Sequence, residues 1–131
     1  VSPSRGLGDV YKRQPIPTEI RLKKEPRLLV ITFDDGSEFE YTFEYLRVHS
    51  PSAEVRGHGP GQETLQVGKD NVAITRIDPV GLYAVRLFFD DGHDTGLYNW
   101  EYLYELGRDM AANWQQYLDR LEAAGYARQN Q

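Results

Sequence analysis

Two stretches of this chain repeat one another. Phe33-Asp34-Asp35-Gly36 returns as Phe89-Asp90-Asp91-Gly92, and Tyr41, Glu44, Tyr45 and Leu46 return as Tyr98, Glu101, Tyr102 and Leu103, one residue further on. An echo of this length constrains the fold strongly, because both copies ask for the same local structure. In the first copy, residues 27–33 (RLLVITF) are apolar and β-branched and read as a strand. Asp35-Gly36 then signals a hairpin of type I′, whose two central residues need positive φ. Residues 38–41 form the return strand, and Thr42 can cap a short helix carrying Phe43 to Leu46. In the second copy, residues 85–89 are the strand, Asp91-Gly92 the turn, residues 95–98 the return strand, and Asn99 the cap of a helix that starts at Trp100. Two copies fall short of the three that a solenoid needs. The expectation is two similar hairpins feeding two helices.

The remaining segments fill in around this frame. Residues 19–23 alternate polar and apolar and read as a short strand. Residues 72–77 read as another, ended by Asp78-Pro79, and Pro79-Val80-Gly81 leads into a strand over 83–89. Residues 49–70 are rich in Ser, Gly and Pro and read as a long loop, which in a compact domain usually carries function or stays disordered. After Trp100, apolar residues at 103, 110, 114, 117, 118 and 121 fall on one helical face. Gly107 is expected to kink or split that helix, Gly125 to cap its end, and Trp114, Tyr117 and Leu121 to pack in the core. The predicted class is α+β: a small mixed or antiparallel sheet built from two β-hairpins, with short helices and a C-terminal amphipathic helix. Residues 1–14 (VSPSRGLGDVYKRQ) lack an apolar period and a signal-peptide core, and are expected to be a non-native or disordered leader. Residues 15–107 are the expected domain, and 108–131 a C-terminal helix and tail.

Composition excludes several function classes. The 131 residues suit one domain. There is no cysteine, so disulfides, thiolate metal sites and a cysteine nucleophile are absent, and a cytoplasmic, reducing setting is expected. A formal charge of −5 argues against a broad nucleic-acid-binding surface. No apolar run approaches the roughly 18 residues of a membrane span.

Few residues offer chemistry. The pairs Asp34/Asp35 and Asp90/Asp91 have the form of catalytic or metal-binding carboxylates, but each precedes a glycine at a turn, where aspartate serves local hydrogen bonding. An EF-hand over 90–101 fails, with Gly92 at a ligand position and Thr95 where glycine belongs. The cluster Gly57-His58-Gly59-Pro60-Gly61 lacks phosphate-loop spacing. His49, His58 and His93 have no metal-ligand spacing. Ser50-Pro51 reads as the start of a turn or short helix rather than a nucleophile elbow.

Longer strings carry a resemblance. Residues 46–61 (LRVHSPSAEVRGHGPG), 79–85 (PVGLYAV), 89–98 (FDDGHDTGLY) and 100–103 (WEYL) together resemble the gamma-butyrobetaine hydroxylase-like N-terminal domain family, as a small stand-alone bacterial member of a domain family of unknown function. The resemblance implies an α+β fold. In the eukaryotic hydroxylase the domain precedes an iron- and 2-oxoglutarate-dependent oxygenase domain and binds a structural zinc through three cysteines and a histidine. The matching positions here are Ser50, Ser52, Val55 and His93, so the zinc site is expected to be lost, with His93 its one remaining candidate ligand, and iron is not expected. Related domains appended to Mrp-like ATPases imply an adaptor in iron–sulfur or metal cofactor assembly.

The leading functional expectation is a non-catalytic binding or adaptor domain with a protein partner. It would present Ser50, Ser52, Glu54, Arg56 and His58 on the 50–61 loop, with Trp100 near the second turn. The alternatives are an iron- or zinc-binding protein and an accessory domain of a 2-oxoglutarate-dependent oxygenase.

Overall fold

The computed structural model describes residues 14–56 and 64–128, with residues 53 and 54 described by their backbone only. Two antiparallel three-stranded sheets account for the strands. The first is β1 (Pro17–Lys23), β2 (Leu28–Phe33) and β3 (Glu38–Thr42), in that order, followed by helix α1 (Phe43–Val48). A short helix α2 (Ala53–Arg56) comes next. The second sheet is β4 (Ile74–Val80), β5 (Ala84–Phe89) and β6 (Leu97–Asn99), followed by α3 (Trp100–Arg108) and α4 (Met110–Ala123). The α+β class and the C-terminal helix are as the sequence predicts.

The echo in the sequence is an echo in the structure. At the first hairpin the N–H of Phe33 donates to the carbonyl of Ser37 and that of Gly36 to Phe33; at the second, Phe89 donates to His93 and Gly92 to Phe89. Asp34 and Asp90 each clip the chain before their sheet, the N–H of Asp34 to Ile16 at 2.9 Å and that of Asp90 to Ala73 at 2.8 Å. Thr42 Oγ1 accepts from the Tyr45 N–H, and Asn99 Oδ1 from Tyr102, so both helices carry the expected caps.

Some sequence expectations need correction. The hairpins are not type I′. The N–H of Gly36 bonds Phe33 across Asp34-Asp35, so the glycine follows the turn instead of occupying its centre, at φ +92° (Gly92, +89°). This is the three-residue hairpin in which a left-handed glycine closes a bulge. Asp78-Pro79 does not end a strand: β4 runs to Val80. It is an edge strand, where proline's missing N–H need cost no ladder bond. The helix does split near Gly107, at Asp109, but the glycine has a steric task as well. A Cβ there would collide with the Phe39 ring.

Both sheets feed one core. Leu29, Ile31 and Phe33 of β2 join Val85, Leu87 and Phe89 of β5, together with Tyr41, Tyr45 and Leu46 and their counterparts Tyr98 and Leu103. The tyrosine hydroxyls are exchanged between the halves. Tyr41 donates to the carbonyl of Leu103 and Tyr98 to that of Leu46, each at 2.6 Å. Tyr45 donates to Leu106, and Tyr102 to His49. Because 41, 45 and 46 correspond to 98, 102 and 103, the two halves are related by an approximate twofold axis. α4 lies outside this relation. Its Tyr117 and Leu121 form a second buried cluster with Val48, and Trp114 packs against both clusters.

Candidate functional site

The segment after α1 turns inward. Ser50 is 1% exposed, and its Oγ lies 2.8 Å from His93 Nε2; His93 is 5% exposed. The Ser52 N–H donates to Ser50 Oγ at 3.3 Å, and Ser52 Oγ is 2.8 Å from Thr95 Oγ1. The Ser52 carbonyl starts α2, accepting from Val55 and Arg56. Gly96 backs this cluster so closely that a Cβ there would lie 2.5 Å from Ser50 Oγ. The polar groups of the 50–52 stretch are thus spent on fastening α1 to the second hairpin.

Three of the four positions that the resemblance aligns with zinc ligands, Ser50, Ser52 and His93, therefore lie together. Their chemistry does not suit zinc. Two hydroxyls engaged with neighbours, one valine and one imidazole give no thiolate and a single nitrogen donor, where a structural zinc needs four N or S ligands. Among the described residues, no three His, Cys, Asp or Glu side chains are placed to hold a metal ion.

Beside this cluster stands an electrostatic node. Asp91 Oδ1 accepts the His93 N–H at 3.1 Å, while Oδ2 takes Arg47 Nε at 2.9 Å and Lys69 Nζ at 2.6 Å. Partial burial works to raise the Asp91 pKa, but Lys69, the His93 N–H and Arg47 outweigh it and hold the carboxyl at about 2. His49 is shifted down, chiefly by burial, with the Arg120 charge adding to it against the hydrogen bond to the Tyr45 carbonyl.

Of the other residues singled out in the sequence, Arg56 is at the surface, its guanidinium 4.6 Å from the centre of the Tyr102 ring. Trp100 is half-buried, and its indole N–H donates to the Leu82 carbonyl at 3.1 Å while its backbone N–H donates to Tyr83. His58 and the Glu54 side chain lie outside the described residues. Trp100 also supports an exposed apolar turn that the sequence expectations above do not include. Leu82 is 78% and Tyr83 69% exposed at the β4–β5 turn, with Val80 and Leu97 also exposed. A signal was present: the corresponding β1–β2 connection reads Lys24-Glu25-Pro26-Arg27, whereas this one reads Gly81-Leu82-Tyr83. Among the described residues, no helix is long and apolar enough to cross a membrane.

What these features define is a small α+β domain of two pseudo-symmetric sheet–helix units, fastened by a buried polar clasp between the first helix and the second hairpin. The chain belongs to the gamma-butyrobetaine hydroxylase-like, N-terminal family, whose model matches residues 20–104. Two proteins solved in solution by NMR are similar to it. One shares 50% identity at a TM-score of 0.77, over 90% of this chain and 88% of its own. The other shares 45% identity at a TM-score of 0.75, over 87% and 90%. A crystal structure of a protein of unknown function from Acidithiobacillus ferrooxidans, a member of the DUF971 family, is 40% identical with a TM-score of 0.57, covering 72% of this chain and 92% of that one. No curated protein matches the chain.

Proposed function

We propose that this protein is a non-catalytic binding domain that docks on a protein partner through the β4–β5 turn and the adjoining Trp100. The observation that carries the reading is the exposure of Leu82 and Tyr83 on a turn whose two carbonyls are fixed by Trp100. Large apolar side chains exposed together on a hydrogen-bonded turn are a common mark of a protein-interaction surface. The fold itself does not demand them, since the pseudo-equivalent turn is charged and proline-containing. Arg56, Leu97 and Glu101 line a separate surface hollow. Ser50 and Ser52 act from behind, fixing the segment that leads to Arg56.

The resemblance points to a partner in iron–sulfur or metal cofactor assembly, and a chain without cysteine would serve there as an adaptor in the cytoplasm rather than as a cluster holder. The test is the double variant Leu82→Ser, Tyr83→Ser, used as tagged bait in the native host. It is expected to keep the wild-type melting temperature and to lose the proteins that co-elute stoichiometrically with the wild type. Unchanged co-elution by the folded variant would remove the turn from the binding surface.

A further inference from the structure

We propose that the groove between α1 and α4 is a small-molecule site for an amphipathic carboxylate, an apolar chain ending in a single carboxylate group. The groove lies apart from the docking turn. Its volume of about 660 Å³ is typical of ligand pockets, which run from about 300 to 1,000 Å³ and are mostly apolar with a few placed polar groups. Phe43, Val72, Met110 and Trp114 make the walls.

The head group is chosen by the charges at the rim. Of the two carboxylates there, Glu44 has both oxygens engaged: Arg128 binds Oε1 through Nη2 at 2.6 Å and Oε2 through Nε at 2.9 Å, and the Tyr117 hydroxyl donates to Oε2. Arg128 is thus paired with Glu44, with the Asp70 charge acting on it from further off. Arg27 is matched by no anion among the described residues. Its Nη2 is pinned by the carbonyls of Asn71 and Val72, at 2.5 and 2.6 Å, and its guanidinium carbon sits 6.0 Å from the centre of the Phe43 ring. That leaves the donors on Nε and Nη1, three of the five N–H groups of an arginine, without a protein acceptor among the described residues. A fixed, unmatched guanidinium at the edge of an apolar groove is complementary to one carboxylate with a hydrocarbon tail. A cationic or neutral head would leave the Arg27 charge unmatched.

The experiment is a titration of the full chain with decanoate, below its micellar concentration, followed by tryptophan fluorescence. Decylamine and 1-decanol are the equal-length controls. Decanoate is expected to give a saturable change that persists in Trp100→Phe, because Trp114 reports it, and to bind at least tenfold more tightly than either control. Ala111→Phe, at an exposed position of α4 that lines the groove, is expected to abolish the response without lowering the melting temperature. In Arg27→Met, decanoate is expected to fall to the affinity of decanol. No saturable response, equal binding of the three ligands, undiminished binding in folded Ala111→Phe, or undiminished decanoate affinity in folded Arg27→Met would each overturn the proposal. Leu82→Ser, Tyr83→Ser leaves this groove intact, so the two readings stand or fall separately.

Discussion

At Asp91 the two carboxylate oxygens have different partners, and the sequence discloses only one of them. An aspartate before a glycine reads as a turn residue, and Oδ1 fills that role on the His93 N–H. Oδ2 binds Arg47 and Lys69, which lie 44 and 22 residues away, a pairing that no local pattern encodes. The Arg47 side chain is 8% exposed and Asp91 23%, so the pair is shielded enough to contribute to stability. Asp91→Asn keeps the turn acceptor and removes the charge. It is expected to cost about 2 kcal/mol at neutral pH, less than the roughly 3–5 kcal/mol for breaking a fully buried pair, and to be read from urea unfolding. The same residue predicts an acid dependence. Its folded pKa of about 2 lies below the ordinary carboxylate value of about 3.9 in the unfolded chain. Its stabilisation is therefore complete above pH of about 4 and is lost as pH falls towards 2. Wild type and Asp91→Asn should differ in stability at pH 6 and converge near pH 2; a constant difference across that range would dissociate Asp91 from the acid response. His49 gives a second, independent window. Its lowered folded pKa makes the neutral form the one that folding favours, so its share of stability is present above about pH 6.5 and declines as pH falls below that value.

Individual elements were legible because their signals are local. Both helix caps, both hairpin glycines and the alternating core faces of β2 and β5 lie within a few residues of the structures they set. Gly125 likewise ends α4 at φ +84°, with the Tyr126 N–H reaching back to Leu121. Gly107 shows where locality fails: its steric partner is Phe39, on a strand of the other half. The exchanged tyrosines fail to show for the same reason, since each hydroxyl acts on the helix of the opposite unit. The two exchanges also differ in a way that helix length explains. α1 spans six residues, so the Leu46 carbonyl falls in its last turn, where the helix supplies no partner. Leu103 lies earlier in the nine-residue α3, where the Gly107 N–H is in position to be its i+4 donor. Tyr98→Phe removes a buried acceptor's partner outright and is expected to cost about 2 kcal/mol, whereas Tyr41→Phe leaves a helical bond behind and is expected to cost about 1 kcal/mol. Equal losses in denaturant unfolding would show that the carbonyls are satisfied alike.

Across the whole molecule, α4 makes the two halves unequal. Glu44 and Glu101 occupy corresponding places in the duplicated pattern, yet Glu101 is exposed and Glu44 is buried. The difference comes from the C-terminal segment, which has no counterpart after α1. Tyr117 of α4 donates to Glu44, and Arg128, 84 residues away along the chain, closes on it through Nε and Nη2 while lying 5.3 Å over the Trp114 ring. The sequence marks both glutamates as members of an echo and cannot say which one the last helix will cover, because that depends on how the finished halves pack. Burial makes the Glu44 charge dependent on its partner. Arg128→Ala leaves a carboxylate 6% exposed without its guanidinium and is expected to cost about 3 kcal/mol, the lower end of the range for an orphaned buried charge. Adding Glu44→Gln to that variant removes the uncompensated charge and is expected to recover more than half of the loss, whereas Glu101→Gln should change nothing beyond about 0.5 kcal/mol. The cycle is closed by adding Glu44→Gln alone, and all five chains are measured in urea under one buffer. If Arg128→Ala and Glu101→Gln prove equally mild, the C-terminal segment does not close the first half, and the approximate twofold, rather than α4, sets the stability of α1.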